Sequence, residues 1–379
     1  MPHSPLLKEL IARRIRQDVQ SMHAYAVQDA RGMVKLDAME NPHRLPLELQ
    51  AALGQRLGAV AINRYPDQRV ADLRQALAAH VQLPAAYALM LGNGSDELIG
   101  LLAMACDGAP EQAKGVRPVI LAPVPGFVMY AMSAQLQGLD FVGVPLQPDF
   151  ALDTSAMRQA IAKHQPALVY LAYPNNPTAN LWDAEAMAAV VAAAAASGSL
   201  VVVDEAYQPF SSHTYLDVMA ADPARHAHVL LLRTLSKFGL AGVRLGYLLG
   251  HSALISQIDK VRPPYNISAL NAECALFALE HAPVFAAQAA DIKAQRARLQ
   301  QAFAAMAGVQ AFASEANMIL LRVEGDQLRA TQLFEALKAQ GILVKNVSKM
   351  HPLLANCLRV TVGTASENDA LLAALEEIL

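Results

Sequence analysis

The sequence has little cysteine and little charge, and both shortages narrow the possible functions. Its 379 residues include three cysteines, Cys106, Cys274 and Cys357, which are scattered and form no CxxC pair. This spacing argues against a disulfide framework or a zinc site, so we expect no metal and a reducing, cytoplasmic environment. Charged residues make up 17%, the formal net charge is −3, and there is no basic block. We therefore expect neither a nucleic-acid partner nor binding to a membrane surface.

The sequence also lacks a long unbroken apolar run. The nearest candidate, residues 184–203, is interrupted by Ser197, Gly198 and Ser199 and leads directly into Asp204. An alanine-rich helix, a glycine stop and a short buried strand explain this stretch better than a membrane span does. Residues 1–17 alternate apolar and charged side chains at helical spacing, without the apolar core of a signal peptide. We expect a soluble protein.

Between about residues 85 and 250, short apolar runs rich in β-branched residues alternate with helical patterns. The clearest strand candidates are residues 119–124, 167–173, 200–207, 228–236 and 246–250. These runs are apolar on both faces, which is typical of parallel strands covered by helices on each side. The intervening residues 153–164 and 183–197 are long enough for crossover helices. The pattern predicts an α/β protein with a large, doubly wound, mostly parallel sheet.

The C-terminal part has a different pattern. Residues 268–308 read as long helical segments, and short strands are expected at 318–323, 342–347 and 357–363, before a last helix from about Glu367. This order predicts a smaller α+β domain. We expect an N-terminal arm that joins the small domain at 1–60, the large domain at 61–265 and the small domain at 266–379.

In an open α/β sheet, ligands bind beyond the carboxyl ends of the strands, so the polar loops there are the first candidates for a site. In LGNGSDE (91–97), Gly92 and Gly94 allow a tight turn, and Ser95 is a suitable N-cap for a helix that starts at Asp96. Free backbone N–H groups at a helix start favour a phosphate. An ordinary capped helix would have the same sequence.

Two further loops carry an amide and a carboxylate. In YPNNPTAN (173–180), the Asn176 amide could donate to an oxyanion, although the motif also suits a plain turn. Asp204 and Glu205 end an apolar strand, and a carboxylate there can keep a pyridine nitrogen protonated, so that the ring accepts electrons. Tyr207 could donate to the ring oxygen. A strand-end acid could equally cap the next helix.

The fourth loop, RTLSKFGLAGVRLGY (233–247), carries Lys237 directly after an apolar strand. Partial desolvation lowers the pKa of a lysine and suits Schiff-base chemistry, whereas an isolated loop lysine is more often solvated. Ser236 and Arg244 could both contact a phosphate. Together the four loops supply a phosphate anchor, a ring-oxygen donor, a ring-nitrogen partner and a point of covalent attachment. They predict an enzyme that uses pyridoxal 5′-phosphate (PLP).

At these residues the chain resembles the fold-type I PLP enzymes and, within them, the histidinol-phosphate aminotransferases. The resemblance runs from about Tyr25 to the C-terminus. Its most specific motifs are LDAMENPH (36–43), NRYPD (63–67), PNNPT (174–178), DEAY (204–207), RTLSK (233–237), GVRLGY (242–247) and LRVTVG (358–363).

The resemblance implies a role for each residue at the cofactor. Lys237 forms the Schiff base and moves the proton between substrate and cofactor, while Asp204 pairs with the pyridine nitrogen. Asn176 and Tyr207 hydrogen-bond the ring oxygen, and the side chain of Phe127 stacks on the ring. The residues implied to hold the cofactor phosphate are Ser95, Asp96, Ser236 and Arg244.

The resemblance also implies partners and substrates. Tyr65 would reach the cofactor phosphate of the neighbouring subunit, which implies a homodimer with shared active sites. Arg359 would bind the anionic group of the substrate, with Tyr25 and Asn41 near its imidazole end. The reaction implied is amino transfer in histidine biosynthesis, with L-histidinol phosphate, imidazole-acetol phosphate, L-glutamate and 2-oxoglutarate as the exchanging molecules.

Four features depart from the family pattern without removing a catalytic group. Ala179 replaces a glycine in the PNNPT turn, and Phe127 stands where tyrosine is common. Lys345 stands where some members carry an arginine thought to help bind the substrate. The spacing from Lys237 to Arg244 is seven residues, one shorter than in many relatives.

Three other functions remain open from the sequence. An aromatic amino acid aminotransferase is close in sequence and binds similar substrates, and a threonine-phosphate decarboxylase shares the scaffold. The decarboxylases often have a different context before the lysine from RTLSK. A transcription regulator built on a PLP-binding domain would need a DNA-binding module, and the roughly 25 residues before Tyr25 are too few for one.

Overall fold

The computed structural model describes residues 5–22, 28–66, 68–106, 116–326 and 328–379. Within these residues the strands, in chain order, are β1 Val34–Lys35, β2 Tyr87–Gly92, β3 Val119–Val124, β4 Asp140–Pro145, β5 Leu168–Ala172, β6 Leu200–Asp204, β7 Val229–Thr234, β8 Gly246–His251, β9 Val309–Ala311, β10 Met318–Val323, β11 Ile342–Leu343, β12 Lys345–Asn346 and β13 Cys357–Thr361. The α-helices are α1 Pro5–Arg14, α2 Gln17–Gln20, α3 Leu47–Gly58, α4 Arg69–His80, α5 Ser95–Ala105, α6 Met129–Gln137, α7 Thr154–His164, α8 Ala184–Ala196, α9 Tyr215–Ala221, α10 Ser252–Ile258, α11 Ala269–Glu280, α12 Ala282–Ala305, α13 Arg329–Ala339 and α14 Ala365–Ile378.

The main sheet has seven strands in the order β2-β8-β7-β6-β5-β3-β4. The pairs from β7 to β4 are parallel, whereas β8 is antiparallel to both β7 and β2. The predicted mostly parallel sheet is confirmed, but the expectation that 246–250 is a parallel strand is wrong. Only residues 235–245 join β7 to β8, and a parallel pair needs a crossover of about a dozen residues or more.

Helices cover both faces of this sheet, as the two-sided apolar pattern predicted. Val201 and Val203 of β6 pack in one core with side chains of α4, α7 and α8. Val202, between them, packs in a second core with side chains of α5, α6 and α10. Each such side chain is fully buried, which stabilises the fold by about 1.5–3 kcal/mol per residue. Apolar side chains therefore fill both faces of the sheet, and the polar residues that could form a functional site lie at the strand ends.

A second region is built around a four-stranded antiparallel sheet, β12-β13-β10-β9. The N-terminal segment joins this region, because β1 pairs with β11 and Leu36 and Met39 pack in the same core as Met318. In contrast, α11 packs against the core of the main sheet. The domain boundaries after residues 60 and 265 stay predictions.

Most predicted elements are present, with corrections at particular places. Residues 268–308 form two helices, α11 and α12, separated at His281. Residues 342–347, expected as one strand, divide at Val344 into β11 and β12, which belong to different sheets. Strands β2 and β4 were not singled out in advance, and β4 is an edge strand with a largely exposed surface. In the described part of the chain, no helix combines the length and apolar character needed to cross a membrane.

Candidate active site

A cavity of about 320 Å³ lies at the carboxyl edge of the main sheet. Ala172, Asp204 and Thr234, the last residues of β5, β6 and β7, line it. Segment 38–40, which follows β1, also lines it. That segment is tied to the second region by a hydrogen bond of 3.0 Å from Asn317 Nδ2 to the Met39 carbonyl oxygen. The cavity is therefore placed where parallel strands and the N-terminal segment converge, as the strand-end loops predicted.

The start of α5 forms one end of the cavity, and glycines shape it. Gly94 has φ +84°, a conformation that favours glycine, and it caps the helix at the position expected for Ser95. Ser95 is instead the first helical residue and lines the cavity, so the expected N-cap assignment is wrong. A Cβ on Gly246 would come within 2.7 Å of the Ser95 nitrogen, so glycine at 246 lets β8 pack against this turn.

Arg244 lies beside the same helix start. Its Nη1 donates to Ser236 Oγ at 3.4 Å, and its Nη2 contacts Asp96 Oδ2 at 3.2 Å. A Cβ on Gly94 would come within 2.7 Å of the same guanidinium, which shows how closely the two loops approach. The predicted phosphate residues Ser95, Asp96, Ser236 and Arg244 are therefore together. A guanidinium and a helix N-terminus at one place favour an anion.

Asp204 and Glu205 are both buried but have different partners. Asp204 lines the cavity, and its Oδ2 accepts a hydrogen bond of 2.7 Å from the Tyr130 hydroxyl. Its Oδ1 accepts from the Ala206 N–H at 3.0 Å. Burial raises the pKa of Asp204 to about 6, while the Tyr130 and Ala206 hydrogen bonds oppose that rise. Glu205 binds Arg233 at 2.8 Å and does not line the cavity, so Asp204 is the available carboxylate.

Asn176, Tyr207 and Arg359 form a connected chain of hydrogen bonds. Asn176 Nδ2 donates to the Tyr207 hydroxyl oxygen at 3.0 Å, and Arg359 Nη1 donates to Asn176 Oδ1 at 2.9 Å. Arg359 Nη2 also donates to the Asp37 carbonyl oxygen at 2.8 Å. Burial raises the pKa of Tyr207 well above its usual value. The phenol therefore stays protonated and can donate to an oxyanion in the cavity.

Lys237 projects into the cavity from the turn after β7. Its Nζ donates to the Ala38 carbonyl oxygen at 3.2 Å. Burial, and then the positive charge of Arg359, lower the pKa of Lys237 to about 8. A larger fraction of the amine is therefore neutral near neutral pH than for a solvated lysine, as the strand-end position predicted. A neutral amine is the form that attacks a carbonyl carbon.

The remaining predicted residues are not all at the cavity. Phe127 lines it, but Asn41 does not: the Asn41 amide donates to Gln288 Oε1 at 2.9 Å, next to the cavity-lining segment 38–40. Tyr65 is 77% exposed and stacks on Tyr265, away from the cavity of its own chain. Tyr25 lies outside the described residues.

Sequence reasoning missed three residues with polar side chains that line the cavity, Tyr130, Glu40 and Thr234. Tyr130 follows Phe127 by three residues at the start of α6, a spacing that places two side chains on the same side of a helical turn. That spacing was the available signal. Glu40 lies inside the LDAMENPH motif and Thr234 inside RTLSK, so both were quoted but given no role.

The structure shows the surroundings of two residues that depart from the family pattern. Ala179 has φ +64° and is fully buried, so it adopts the left-handed conformation that a glycine would adopt more easily. Lys345 on β12 lies directly across from Arg359 on β13. A second positive charge therefore stands beside Arg359, which does not itself line the cavity but hydrogen-bonds Asn176, which does.

The comparisons with known proteins agree with this geometry. Residues 31–375 match the model of the family described as aminotransferase class I and II. The chain belongs to this family. Among curated relatives, the histidinol-phosphate aminotransferase of Polaromonas naphthalenivorans (strain CJ2) is 65% identical over 99% of this chain and 98% of the relative. Histidinol-phosphate aminotransferase 1 of Ralstonia nicotianae is 53% identical over 99% and 98%.

Solved structures place this class I and II aminotransferase among the fold-type I enzymes. The histidinol-phosphate aminotransferase of Sinorhizobium meliloti, in complex with pyridoxal-5′-phosphate, matches 96% of this chain and 97% of its own at a TM-score of 0.81 and 25% identity. The L-threonine-O-3-phosphate decarboxylase of Porphyromonas gingivalis matches 91% and 99%, at a TM-score of 0.73 and 20% identity. The fold is thus shared by a decarboxylase, so the fold alone does not choose the reaction.

Proposed function

We propose that this aminotransferase transfers the amino group between L-histidinol phosphate and 2-oxoglutarate, and in the biosynthetic direction from L-glutamate to imidazole-acetol phosphate. The observation that carries the proposal is the placement of Lys237 within one cavity with Asp204, Asn176 and Arg244. The identity of 53–65% to histidinol-phosphate aminotransferases over nearly the whole chain supports the choice of substrate. The reaction belongs to histidine biosynthesis.

Pyridoxal 5′-phosphate is the cofactor of this family, and the cavity residues fit it. At one end, Arg244 and the start of α5 suit a phosphate; at the other, buried Asp204 suits a protonated ring nitrogen. The Tyr207 and Asn176 pair suits a ring oxygen, and the lowered pKa of Lys237 makes the neutral amine that covalent attachment requires more accessible. When bound, the cofactor supplies an electron sink that stabilises negative charge at the substrate α-carbon.

The protein side chains then bind, orient and move protons. Lys237 takes a proton from the substrate α-carbon and returns one, as general base and general acid. Arg359 binds the anionic group of the substrate, where its guanidinium is already held by Asn176 and the Asp37 carbonyl. Phe127, which lines the cavity, would pack on the cofactor ring, and Asn41, next to the lining segment 38–40, would lie near the imidazole end of the substrate.

Substrate preference tests this proposal against its nearest alternative. The PLP form is mixed separately with L-histidinol phosphate, L-phenylalanine and O-phospho-L-threonine, and the absorbance of the bound cofactor is followed. We expect kcat/KM to be at least about tenfold higher for L-histidinol phosphate than for L-phenylalanine, because one hydrogen bond to a charged group contributes about that factor. Preference for phenylalanine would assign the protein to the aromatic aminotransferases. Release of carbon dioxide from phosphothreonine would make it a decarboxylase.

We also propose that the enzyme is a homodimer in which Tyr65 completes the phosphate site of the partner. Tyr65, Ile62 and Tyr265 are all exposed, and they form an aromatic and apolar surface around the NRYPD loop. Adjacent exposed apolar and aromatic side chains of this kind suit a protein interface. The free thiols of Cys106, Cys274 and Cys357 fit a reducing cytoplasm, which we propose as its compartment.

Mixed dimers test the shared site. Tyr65→Phe is expected to weaken PLP binding about tenfold or more, because one hydrogen bond to a charged phosphate is lost. In a mixed dimer of a Lys237→Ala chain and a Tyr65→Phe chain, one site combines a wild-type Lys237 with the wild-type Tyr65 of the other chain. That site is expected to bind PLP with wild-type affinity. Uniformly weak binding in the mixed dimer, or a monomer by light scattering, would contradict the proposal, and Tyr265→Phe is the matched control.

A further inference from the structure

The charge of Asp204 depends on few groups. The carboxylate is 4% exposed, so water contributes little to its solvation. Within the described residues its hydrogen-bond donors are the Ala206 N–H on Oδ1 and the Tyr130 hydroxyl on Oδ2, and no cation forms an ion pair with it. Asp96 and Glu205, both acidic, disfavour its negative charge further. The two donors are therefore the main described groups that favour the carboxylate form.

The Tyr130 hydroxyl is held rigidly in place. The side chain is 2% exposed, and its ring stacks on that of Tyr170 with centroids 4.2 Å apart and an angle of 13° between the planes. Phe127 packs edge-on against the same ring at 5.7 Å. With the ring confined on these sides, the hydroxyl stays 2.7 Å from Asp204 Oδ2. The backbone donor, in contrast, is present whatever the side chains are.

We propose that Tyr130 is a positioning residue whose hydroxyl holds Asp204 in the charge state and orientation that a protonated pyridine nitrogen requires. The inference rests on the proposed function, because it needs Asp204 beside that nitrogen. A proton shared between a carboxylate and a pyridine lies on the nitrogen when the carboxylate is well stabilised. It moves to the oxygen when the carboxylate loses a donor and becomes more basic. Tyr130 therefore favours the pyridinium and, with it, the electron sink.

The position of the proton can be measured directly in the holoenzyme. PLP labelled with ¹⁵N in the ring is bound to the wild type and to Tyr130→Phe, and the ¹⁵N chemical shift is recorded at one fixed pH. We expect a pyridinium signal in the wild type and a shift towards the neutral pyridine in the variant. We also expect kcat to fall about tenfold or more, the factor for losing one hydrogen bond to a charged group, with KM changed much less.

Tyr170→Phe is the matched control, because it removes a buried phenol oxygen from the neighbouring ring without touching Asp204. Among the described residues the Tyr170 hydroxyl has no hydrogen-bond partner, so the ¹⁵N signal and kcat are expected to stay at wild-type values. A second variant carries 3-fluorotyrosine at position 130, which keeps the packing and donates more strongly. When the pH is raised, it is expected to keep the pyridinium signal to a higher pH than the wild type does.

The possible results separate the inference from the proposed function. If Asp204→Asn abolishes the pyridinium signal while both Tyr130 variants leave it unchanged, Asp204 keeps its role and the role of Tyr130 is overturned. If Asp204→Asn also leaves the signal unchanged, the assignment of Asp204 in the proposed function fails first. A shift towards the neutral pyridine for Tyr130→Phe, together with a pyridinium signal that persists to higher pH for 3-fluorotyrosine than for the wild type, supports the inference.

Discussion

Lys237→Ala is expected to abolish covalent attachment of the cofactor and to lower turnover by at least about 10³-fold, since one group acts as both nucleophile and general base. Lys237 is the only lysine among the described residues that line the cavity. Its amine reaches the Ala38 carbonyl from the turn after β7, and burial lowers its pKa to about 8, so that the neutral form is more populated than in a solvated lysine. No other described side chain at the cavity can replace it as an amine.

Borohydride reduction followed by mass spectrometry of tryptic peptides measures the attachment, and the visible absorption of the bound cofactor measures it independently. Lys260→Ala is the control, because Lys260 is exposed on the surface and bonds to Gln257. It is expected to leave both attachment and turnover unchanged. A Lys237→Ala protein that still carried the cofactor covalently would move the site to another residue.

The sequence predicted the candidate site because its polar residues follow apolar strands. Asn176 and Lys237 follow β5 and β7, and Asp204 is the last residue of β6; these three strands are neighbours in the sheet and run in the same direction. Their loops must therefore meet at one edge, whatever the details of packing. The same reasoning located Arg244, because it follows Lys237 within the short connection to β8.

What the sequence could not predict depends on contacts between distant residues. The hydrogen bond from Arg359 to Asn176 joins residues 183 positions apart, one on β13 and the other in the loop after β5, and no local pattern encodes it. Tyr130 bonds to Asp204 and its ring stacks on Tyr170, and the sequence shows neither of these long-range contacts. The wrong N-cap at Ser95 has a local cause: Gly94 adopts a positive φ, and the helix begins one residue earlier than expected.

The dipeptide Asp204–Glu205 shows most clearly where prediction from local sequence ends. The side chains of successive residues in an extended segment point to opposite faces, so we expect the two carboxylates to have different surroundings. The apolar strand pattern alone did not say which carboxylate would face the site, whereas the resemblance at DEAY implied Asp204. The structure separates them: Asp204 lines the cavity with a tyrosine as its partner, and Glu205 is buried against Arg233 and Thr214.

Glu205→Gln is therefore expected to act on stability rather than on catalysis. Arg233 Nε and Nη2 donate to Glu205 Oε2 at 2.9 and 2.8 Å, and the side chains are 7% and 0% exposed. The carboxylate also accepts from the Thr214 hydroxyl at 3.0 Å and from the Tyr215 N–H. Removing its charge leaves the Arg233 guanidinium buried without compensation, which lowers the free energy of unfolding by about 3–5 kcal/mol.

A loss of that size is a large part of the ~5–15 kcal/mol that stabilises a typical domain, so urea denaturation would detect it readily. Glu280→Gln is the matched control: Glu280 also pairs with an arginine, Arg56, but its side chain is 52% exposed, and the expected cost is at most about 1 kcal/mol. Because Glu205 does not line the cavity, the folded fraction of Glu205→Gln should keep wild-type kcat. Equal losses in the free energy of unfolding for Glu205→Gln and Glu280→Gln would mean that burial does not set the strength of the Glu205–Arg233 pair. A fall in kcat at unchanged stability would place Glu205, and not Asp204 alone, in the catalytic machinery.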